Sequence, residues 1–268
     1  MVMSAPSNLS AGSRAWFAPL KPNSEAEVRL FCFPYAGGSS NIYREWPNHL
    51  PPNVEVWVAK LPGRENRLLE AAHKELAPLV EGCAQAIVPH LDKPFVFLGH
   101  SMGAILSFEL SRLLRSGHGV EPAHLFVSAR PAPQLPDPTR PTYNLPEPEF
   151  IEEVRRLNGT PREVLQDSEL MRLILPLLRA DFAVCQTYTY IPSQPLGCPL
   201  TVLGGLQDAD ISREHLEAWR DQTRGPFSLR LLPGDHFFIS ASRSLVLRIV
   251  AQELLRISKT ITAGLQGL

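Results

Sequence analysis

The sequence predicts an α/β fold with a mostly parallel central sheet flanked by helices. Three observations support this prediction. Short apolar runs alternate along the chain with longer stretches of helical periodicity, an order typical of βαβ units. The first of these runs, residues 28–33, is apolar at nearly every position, as a strand covered on both faces requires. Another run, residues 95–98, leads through a glycine- and serine-containing turn into an amphipathic helix over 104–114, which Gly117 is expected to close.

The remaining elements are predicted from the same periodicities and from the turn residues between them. Further helices are predicted at 75–91, 212–223 and 242–257. Further strands are predicted at 54–61, 124–128, 200–203 and 228–232. We expect residues 1–15 to be a loose N-terminal leader without the features of a signal peptide, and residues 16–268 to form a single domain.

One segment interrupts this alternation. Residues 131–199 contain no clear strand, and their first part, up to residue 148, is rich in proline and therefore loop-like. Helical stretches follow at 149–157, 162–165 and 169–188. We interpret residues 135–192 as a helical lid, because long insertions in compact domains tend to be functional. The alternative is a small subdomain with no role in binding.

The turn that follows the strand at 95–98 carries the pattern Gly-x-Ser-x-Gly, in Gly99-His100-Ser101-Met102-Gly103. A strand, this pattern and a helix together match the nucleophile elbow of α/β-hydrolases. Strand and helix approach so closely there that a Cβ at either glycine would clash, and the serine adopts an unfavourable backbone conformation. The alternative is an ordinary turn. We predict an α/β-hydrolase fold with the serine as nucleophile.

A nucleophilic serine needs a histidine as base and a carboxylate that orients the histidine. In α/β-hydrolases these residues follow in the order serine, acid, histidine. His236, after the last predicted strand, is the candidate base, and Asp208 and Asp210, after the strand at 200–203, are both candidate acids. All these positions follow strands at their carboxyl ends, where ligands bind in open α/β sheets. His100 adjoins the nucleophile and is expected to point away from it.

The oxyanion formed during attack needs backbone donors that are already in place. One candidate is the N–H of Met102, at the start of a helix. The second should come from the loop after the strand at 28–33, where Tyr35 is our first choice and Ala36 our second. The pair Gly37-Gly38 in this loop allows the backbone to approach a substrate closely, although it is also compatible with a plain flexible turn.

Composition and charge exclude several classes of function. A formal net charge of -1 gives no reason to expect a nucleic acid or an anionic membrane as partner. The apolar runs are far shorter than the ~18 residues that span a bilayer. The four cysteines are scattered without metal-ligand spacing, so we expect reduced, mostly buried thiols and no metal. We expect a monomeric cytoplasmic protein.

Taken together, these residues resemble the type II thioesterases, the stand-alone editing enzymes of polyketide and nonribosomal peptide synthesis. The resemblance extends from about residue 16 to residue 255. The blocks that carry it are residues 30–38, 61–67, 99–103, 179–182 and 234–238. The acid loop departs from the family's pattern, since the family has Asp-Pro where this chain has Asp208-Ala209. The resemblance nevertheless assigns the acid to Asp208 rather than Asp210.

The resemblance implies a substrate and a reaction. The substrate is an acyl or aminoacyl group in thioester linkage to the phosphopantetheine arm of an acyl carrier protein or peptidyl carrier domain, and the enzyme removes stalled groups without a cofactor. Arg64 and Arg67 would support loops or meet the phosphopantetheine, and we favour support. The alternatives are a medium-chain fatty acyl thioesterase, a general carboxylic esterase and an inactive domain that binds carrier proteins.

Overall fold

The structure is a computed structural model that describes residues 16–138 and 140–266, and in these residues seven strands form one sheet. The expected leader, residues 1–15, lies outside the described residues. The strands are β1 (Phe17–Pro19), β2 (Val28–Phe33), β3 (Val54–Ala59), β4 (Phe95–His100), β5 (His124–Ser128), β6 (Leu200–Gly205) and β7 (Phe227–Leu232). Their order is β1-β3-β2-β4-β5-β6-β7. β1 runs antiparallel to β3, and every other neighbouring pair is parallel.

Helices cover both faces of this sheet. They are α1 (Leu76–Ile87), α2 (Met102–His118), α3 (Glu147–Leu157), α4 (Arg162–Gln166), α5 (Ser168–Gln186), α6 (Arg213–Glu217), α7 (Phe238–Ala241) and α8 (Arg243–Gln266). The apolar faces of α1 and α2 pack in one core, and that of α8 packs in a second. The mostly parallel sheet flanked by helices confirms the predicted fold class.

The composition of β2 follows from its position between these two cores. Phe31 and Phe33 pack on the face covered by α1 and α2, whereas Leu30 and Cys32 pack on the face covered by α8. Successive side chains of a strand point to opposite faces, so a strand covered on both sides must be apolar throughout. This is the physical reason for the unbroken apolar run from which the fold was predicted.

The edge strand β1 was not predicted. It is only three residues long and ends in Pro19, so it shows no periodicity, and it pairs with β3 through Phe17 opposite Ala59. Proline is tolerated here because an edge strand does not need every backbone donor. The strand predicted at 54–61 is shorter than expected, since β3 ends at Ala59.

Two predicted helices also differ in detail. α2 does not end at Gly117 but continues to His118, and Gly119 follows with a φ of +68°, the left-handed conformation that glycine supplies at a helix end. The helix predicted over 212–223 divides into α6 and a short 3-10 segment, Ala218–Gln222. Neither difference moves a residue of the candidate site.

The described residues between β5 and β6 form α3, α4 and α5 and contribute no strand to the sheet. These helices share a small apolar cluster of their own, composed of Phe150, Val154, Met171, Leu175 and Leu178. The helical boundaries lie within a few residues of those predicted. Among the described residues, no helix combines the length and hydropathy needed to cross a membrane.

Candidate active site

The serine between β4 and α2 is held in a strained conformation. Ser101 has φ of +53° and ψ of -112°, a region that residues with a side chain rarely adopt. A Cβ on Gly99 would lie 2.0 Å from the carbonyl oxygen of Gly103, and a Cβ on Gly103 would lie 2.1 Å from that of Phe33. Both positions therefore require glycine, as the sequence predicted. The Ser101 N–H donates to the carbonyl of Ser128 at 2.7 Å.

Three distant side chains meet at the carboxyl ends of the parallel strands. His236 Nε2 lies 3.0 Å from Ser101 Oγ, and His236 Nδ1 lies 2.8 Å from Asp208 Oδ2. The Asp208 side chain is 3% exposed. Because an ionised carboxylate can only accept, Nδ1 carries the imidazole hydrogen and Nε2 is left to accept the serine hydroxyl hydrogen. The arrangement can transfer a proton from Ser101 to His236.

The structure distinguishes the two candidate acids. Asp208 uses Oδ2 for His236, and its Oδ1 accepts the Asp210 N–H at 3.1 Å. The Asp210 carboxylate instead accepts two hydrogen bonds from Arg156 of α3, each 3.1 Å long. Asp208, the residue to which the resemblance assigned the role, is therefore the one that contacts the histidine. Asp210 instead connects the loop after β6 to the insertion.

Two hydrogen bonds and a close backbone contact hold the loop after β6, which carries Asp208, against the loop after β7, which carries His236. The Gln207 N–H donates to the Gly234 carbonyl at 2.9 Å, and the Gly234 N–H donates back to Gln207 Oε1 at 2.6 Å. A Cβ on Gly205 would lie 2.4 Å from the carbonyl oxygen of Asp235, so the two loops approach closely only because position 205 is glycine. This contact explains why Asp208 reaches His236.

His100 is a residue of the site whose contribution sequence reasoning missed. Its Nδ1 lies 2.8 Å from Ser128 Oγ, and its Nε2 lies 2.9 Å from the backbone carbonyl oxygen of His236. A carbonyl can only accept, so Nε2 carries the hydrogen and Nδ1 accepts the Ser128 hydroxyl hydrogen. Burial lowers the pKa of the His100 imidazole well below its ordinary value, which keeps the ring neutral. His100 points away from Ser101, as expected, and holds the backbone of His236.

The loop after β2, residues 34–38, is called the oxyanion loop below. Two of its N–H groups are already used, since Gly37 donates to Asp181 Oδ2 at 2.7 Å and Gly38 donates to the Tyr35 carbonyl at 2.8 Å. Within the described part of the chain, the N–H groups of Tyr35 and Ala36 donate no hydrogen bond. The first N–H groups of a helix have no intrahelical acceptor, which leaves Met102 available. These donors are the ones that the sequence nominated.

The two arginines of the loop after β3 are buried. Arg64 donates to the Gly38 carbonyl at 3.0 Å and to Asp181 Oδ1 at 2.8 Å. Arg67 donates to the Lys60 carbonyl at 2.8 Å and lies over the ring of Trp16. Both side chains are at most 6% exposed and bind groups of their own chain, so they support loops, the role that the sequence favoured.

Ser101 faces two cavities. The larger, about 370 Å³, lies between the oxyanion loop and the insertion. Its apolar lining from the insertion consists of Val154, Leu157, Val164, Ile174, Leu177, Leu178 and Phe182. The smaller, about 100 Å³, is lined in part by the charged residues Arg130, Asp137 and Asp210. A groove of about 1010 Å³ between α1, α2 and the end of α5 contains neither Ser101 nor His236, so we place the reaction elsewhere.

The fold and the site define a hydrolase of the α/β-hydrolase class. The strained elbow serine, its histidine partner and the order of the three residues along the chain all belong to that class. A sequence profile of the Thioesterase domain family matches residues 28–254. The chain belongs to this thioesterase family.

Proteins similar to this chain are found among curated sequences and solved structures. "Linear gramicidin dehydrogenase LgrE" of Brevibacillus parabrevis is 46% identical over 242 residues, covering 89% of this chain and 92% of that protein. "Gramicidin S biosynthesis protein GrsT" of Aneurinibacillus migulanus is 47% identical over 239 residues, covering 89% and 93%. The type II thioesterase BorB from the borrelidin biosynthetic cluster superposes with a TM-score of 0.83 at 34% identity, covering 90% of this chain and 98% of that one.

The name of one relative describes a dehydrogenase, and this chain lacks the glycine pattern of dinucleotide binding. That pattern, G-x-G-x-x-G, follows the first strand of a dinucleotide-binding unit and cradles the pyrophosphate. Here the first parallel strand is followed by Pro34, Tyr35, Ala36 and the pair Gly37-Gly38, and the pattern occurs nowhere in the sequence.

Proposed function

We propose that this thioesterase hydrolyses acyl and aminoacyl thioesters on the phosphopantetheine arm of carrier proteins, removing aberrant or stalled groups during polyketide or nonribosomal peptide synthesis. The observation that carries this proposal is the hydrogen-bonded chain Ser101, His236 and Asp208 beside a lined cavity, in a member of the thioesterase family. The names of GrsT, a gramicidin S biosynthesis protein, and of BorB, a type II thioesterase from the borrelidin biosynthetic cluster, support the choice of substrate. We further propose a monomer that acts in the cytoplasm.

The proposed reaction proceeds in two stages through an acyl-enzyme. Ser101 Oγ attacks the thioester carbonyl carbon while His236 Nε2 takes the hydroxyl proton. The carbonyl oxygen becomes an oxyanion, which the N–H of Met102 and that of Tyr35 or Ala36 stabilise. When the carbon–sulfur bond breaks, the imidazolium gives its proton to the departing pantetheine sulfur, leaving an ester on Ser101.

In the second stage His236 removes a proton from water as the water attacks the ester carbonyl carbon. The tetrahedral adduct collapses, the proton returns to Ser101 Oγ, and the carboxylic acid leaves. Asp208 remains ionised throughout, holds the imidazole in the reactive tautomer and stabilises its charged form. No cofactor takes part in this scheme.

We propose that the insertion at 135–192 is a lid over the larger cavity. Its helices supply the apolar side chains of the lining, which suits an acyl chain, because apolar surface removed from water favours binding. The smaller cavity, which also reaches Ser101, suits the amide-containing pantetheine arm, because Arg130, Asp137 and Asp210 supply polar groups in its lining. Both compartments meet at the serine, where the bond to be cleaved must lie.

The experiment is hydrolysis of a panel of acyl-loaded and aminoacyl-loaded carrier proteins by the purified enzyme and by Ser101→Ala. We expect turnover by the wild type, and loss of turnover with retained carrier binding in the variant. Ser107→Ala is the matched control, since Ser107 is buried in α2 and its hydroxyl donates to the Ala104 carbonyl of the same helix, so it should leave turnover unchanged. Unchanged hydrolysis by Ser101→Ala would overturn the proposal.

The same panel separates the alternative functions. A sharp preference for acyl chains of medium length would indicate a fatty acyl thioesterase that acts on fatty acid synthase. Comparable turnover of simple oxygen esters and thioesters would indicate a general carboxylic esterase. Carrier binding with no turnover of any substrate would indicate an inactive binding module.

A further inference from the structure

A buried ion pair joins three parts of the active site. Arg64 follows β3, Asp181 lies in α5, and their contact of 2.8 Å is almost closed to solvent, with side-chain exposures of 6% and 2%. Each partner also binds the oxyanion loop, since Arg64 donates to the Gly38 carbonyl and Asp181 accepts the Gly37 N–H. The pair therefore contacts the loop at two successive residues.

The contact at Gly37 fixes the orientation of one peptide group. Gly38 donates to the Tyr35 carbonyl and Gly37 has φ of +72°, features of a type II turn with Ala36 and Gly37 at its centre. Types I and II differ by a flip of the peptide between the two central residues. Because Asp181 accepts the N–H of that peptide, it selects one of the two orientations.

The neighbouring contacts confine the loop from both sides. On the lid side, a Cβ on Gly37 would lie 2.5 Å from a methyl group of Leu178, so α5 packs directly on the turn. On the sheet side, Gly103 at the start of α2 packs against the carbonyl oxygen of Phe33. Beyond the turn, the Ser40 N–H donates to Glu65 Oε1 at 2.5 Å.

We infer that Arg64 and Asp181 are positioning residues, whose buried ion pair holds the oxyanion loop in the orientation that aims its free N–H groups at the reacting carbonyl. This inference rests on the proposed function, because it concerns the oxyanion of that reaction. It makes α5 the part of the lid that is fixed to the oxyanion loop. Neither residue touches the substrate, and both act through residues 35–38.

The test uses Asp181→Asn, which keeps the size of the side chain. The carboxylate now meets N–H donors at both oxygens, one from Arg64 and one from Gly37. An amide has one oxygen and one NH₂ group. At one of the two positions its NH₂ group would therefore face another N–H donor, and that hydrogen bond would be lost. We expect kcat for an acyl-pantetheine thioester to fall about 10- to 100-fold, with KM within about 2-fold of the wild type, since displaced donors weaken the transition state more than the ground state.

A second readout is the affinity for an alkylboronic acid, whose adduct with a serine oxygen is tetrahedral and anionic. Its inhibition constant should rise by the same factor by which kcat/KM falls. Glu55→Gln is the matched control, because Glu55 forms another ion pair, with Arg29, that is largely buried and, among the described residues, lies apart from the site. It should lower the free energy of unfolding and leave kcat and boronate affinity unchanged.

A double variant separates positioning from folding. Replacing both partners by apolar residues, Arg64→Met with Asp181→Leu, removes the charges together, and such replacements often preserve stability. The inference predicts that this variant folds but keeps the low kcat and the weak boronate binding, because the Gly37 N–H has lost its acceptor. The inference is overturned if Asp181→Asn, or the double variant, folds and shows the kcat and the boronate affinity of the wild type.

Failure of the proposed function has a different signature. If the wild type hydrolyses no thioester but binds the boronate through Ser101, the assigned reaction is wrong and the boronate affinities of the same variants still test the ion pair. If the wild type hydrolyses thioesters and Asp181→Asn is unimpaired, the reaction stands and the positioning role is wrong.

Discussion

Two walls face each other across Ser101, and they are held by different kinds of contact. One wall, the sheet wall, consists of the loops that follow the parallel strands, and its central acid, Asp208, is 3% exposed. The other wall is the insertion, and its helix α3 is tied to the sheet by an ion pair from Arg156, whose side chain is 46% exposed. Buried polar contacts fix geometry strongly, whereas exposed pairs contribute little.

The helices of the insertion also differ in how they are held, by buried contacts for α5 and by exposed contacts for α3. α5 belongs with the sheet wall, because the buried Arg64–Asp181 pair and the packing of Leu178 on Gly37 join it to the oxyanion loop. α3 reaches the sheet through Arg156 and through Asn158, whose amide lies 3.4 Å from Asp235. We therefore propose that the sheet wall and α5 form the rigid side, on which the chemistry is built, and that α3 and α4 form the adjustable side.

The largest expected effect contrasts two carboxylates that are two residues apart. In Asp208→Asn the amide can donate to His236 Nδ1, which favours the wrong tautomer, and kcat should fall about 10⁴-fold. Asp210→Asn removes only half-exposed contacts to α3 and should change kcat by less than about 3-fold. Steady-state kinetics of both variants is the measurement. The opposite result would transfer the role of the acid to Asp210.

A smaller effect is expected at His100, which tests whether the sheet wall positions the base. His100→Ala leaves the His236 carbonyl without its donor, and we expect kcat to fall about 10- to 100-fold because the imidazole moves relative to Ser101. His100→Gln keeps a side-chain N–H donor and should recover part of the loss. Equal kcat in wild type and His100→Ala would show that the contact is dispensable.

Acid should lower the free energy of unfolding through two buried histidines of the sheet. Burial lowers the pKa of His124 on β5 from its ordinary 6.5 to about 4, and His100 is shifted in the same direction. Below pH 6.5 the unfolded chain binds protons that the folded chain does not, so the free energy of unfolding is highest above this pH. Between pH 6.5 and pH 4 it falls by about 1.4 kcal/mol per pH unit through His124, and His100 contributes in the same direction.

Chemical denaturation at several pH values measures this slope. His124→Gln, whose amide can form a hydrogen bond with Thr201 Oγ1 in place of the ring nitrogen, should reduce the slope by about one proton. A slope identical to that of the wild type would mean that His124 is not neutral in the folded state.

The smallest effect is expected on the adjustable side. Arg156→Ala removes the bond between α3 and Asp210, and we expect faster amide hydrogen exchange in α3 with kcat changed by less than about 3-fold. Arg155→Ala is the matched control, since Arg155 forms its ion pair with Glu152 of its own helix and not with the sheet. An equal increase in the amide exchange rates of α3 and α5 would contradict the proposal that the two helices are held differently.

Sequence patterns predicted what depends on local spacing and chain order. The elbow glycines, the apolar run of β2 and the order Ser101, Asp208, His236 all follow from rules that a single sequence displays. β1 was too short to show a pattern. The choice between Asp208 and Asp210 needed family resemblance, because both lie in one loop and only the fold decides which faces the histidine.

Contacts between distant segments were beyond sequence reasoning. Asp181 lies 117 residues from Arg64 and 144 from Gly37, and no periodicity marks it as a partner of either. His100 was correctly expected to point away from Ser101, but nothing local showed that its ring would hold the carbonyl of a residue 136 positions later. Such pairings become visible only when the strands are aligned in the sheet.

The most direct test of the central claim is to trap the acyl-enzyme. The enzyme is mixed with an acyl-loaded carrier protein, quenched in acid within milliseconds, digested and examined by mass spectrometry. The account predicts the mass of the acyl group on the peptide that contains Ser101, and its absence from that peptide in Ser101→Ala. Acyl transfer to any other side chain, or hydrolysis of the thioester by Ser101→Ala at the wild-type rate, would contradict it.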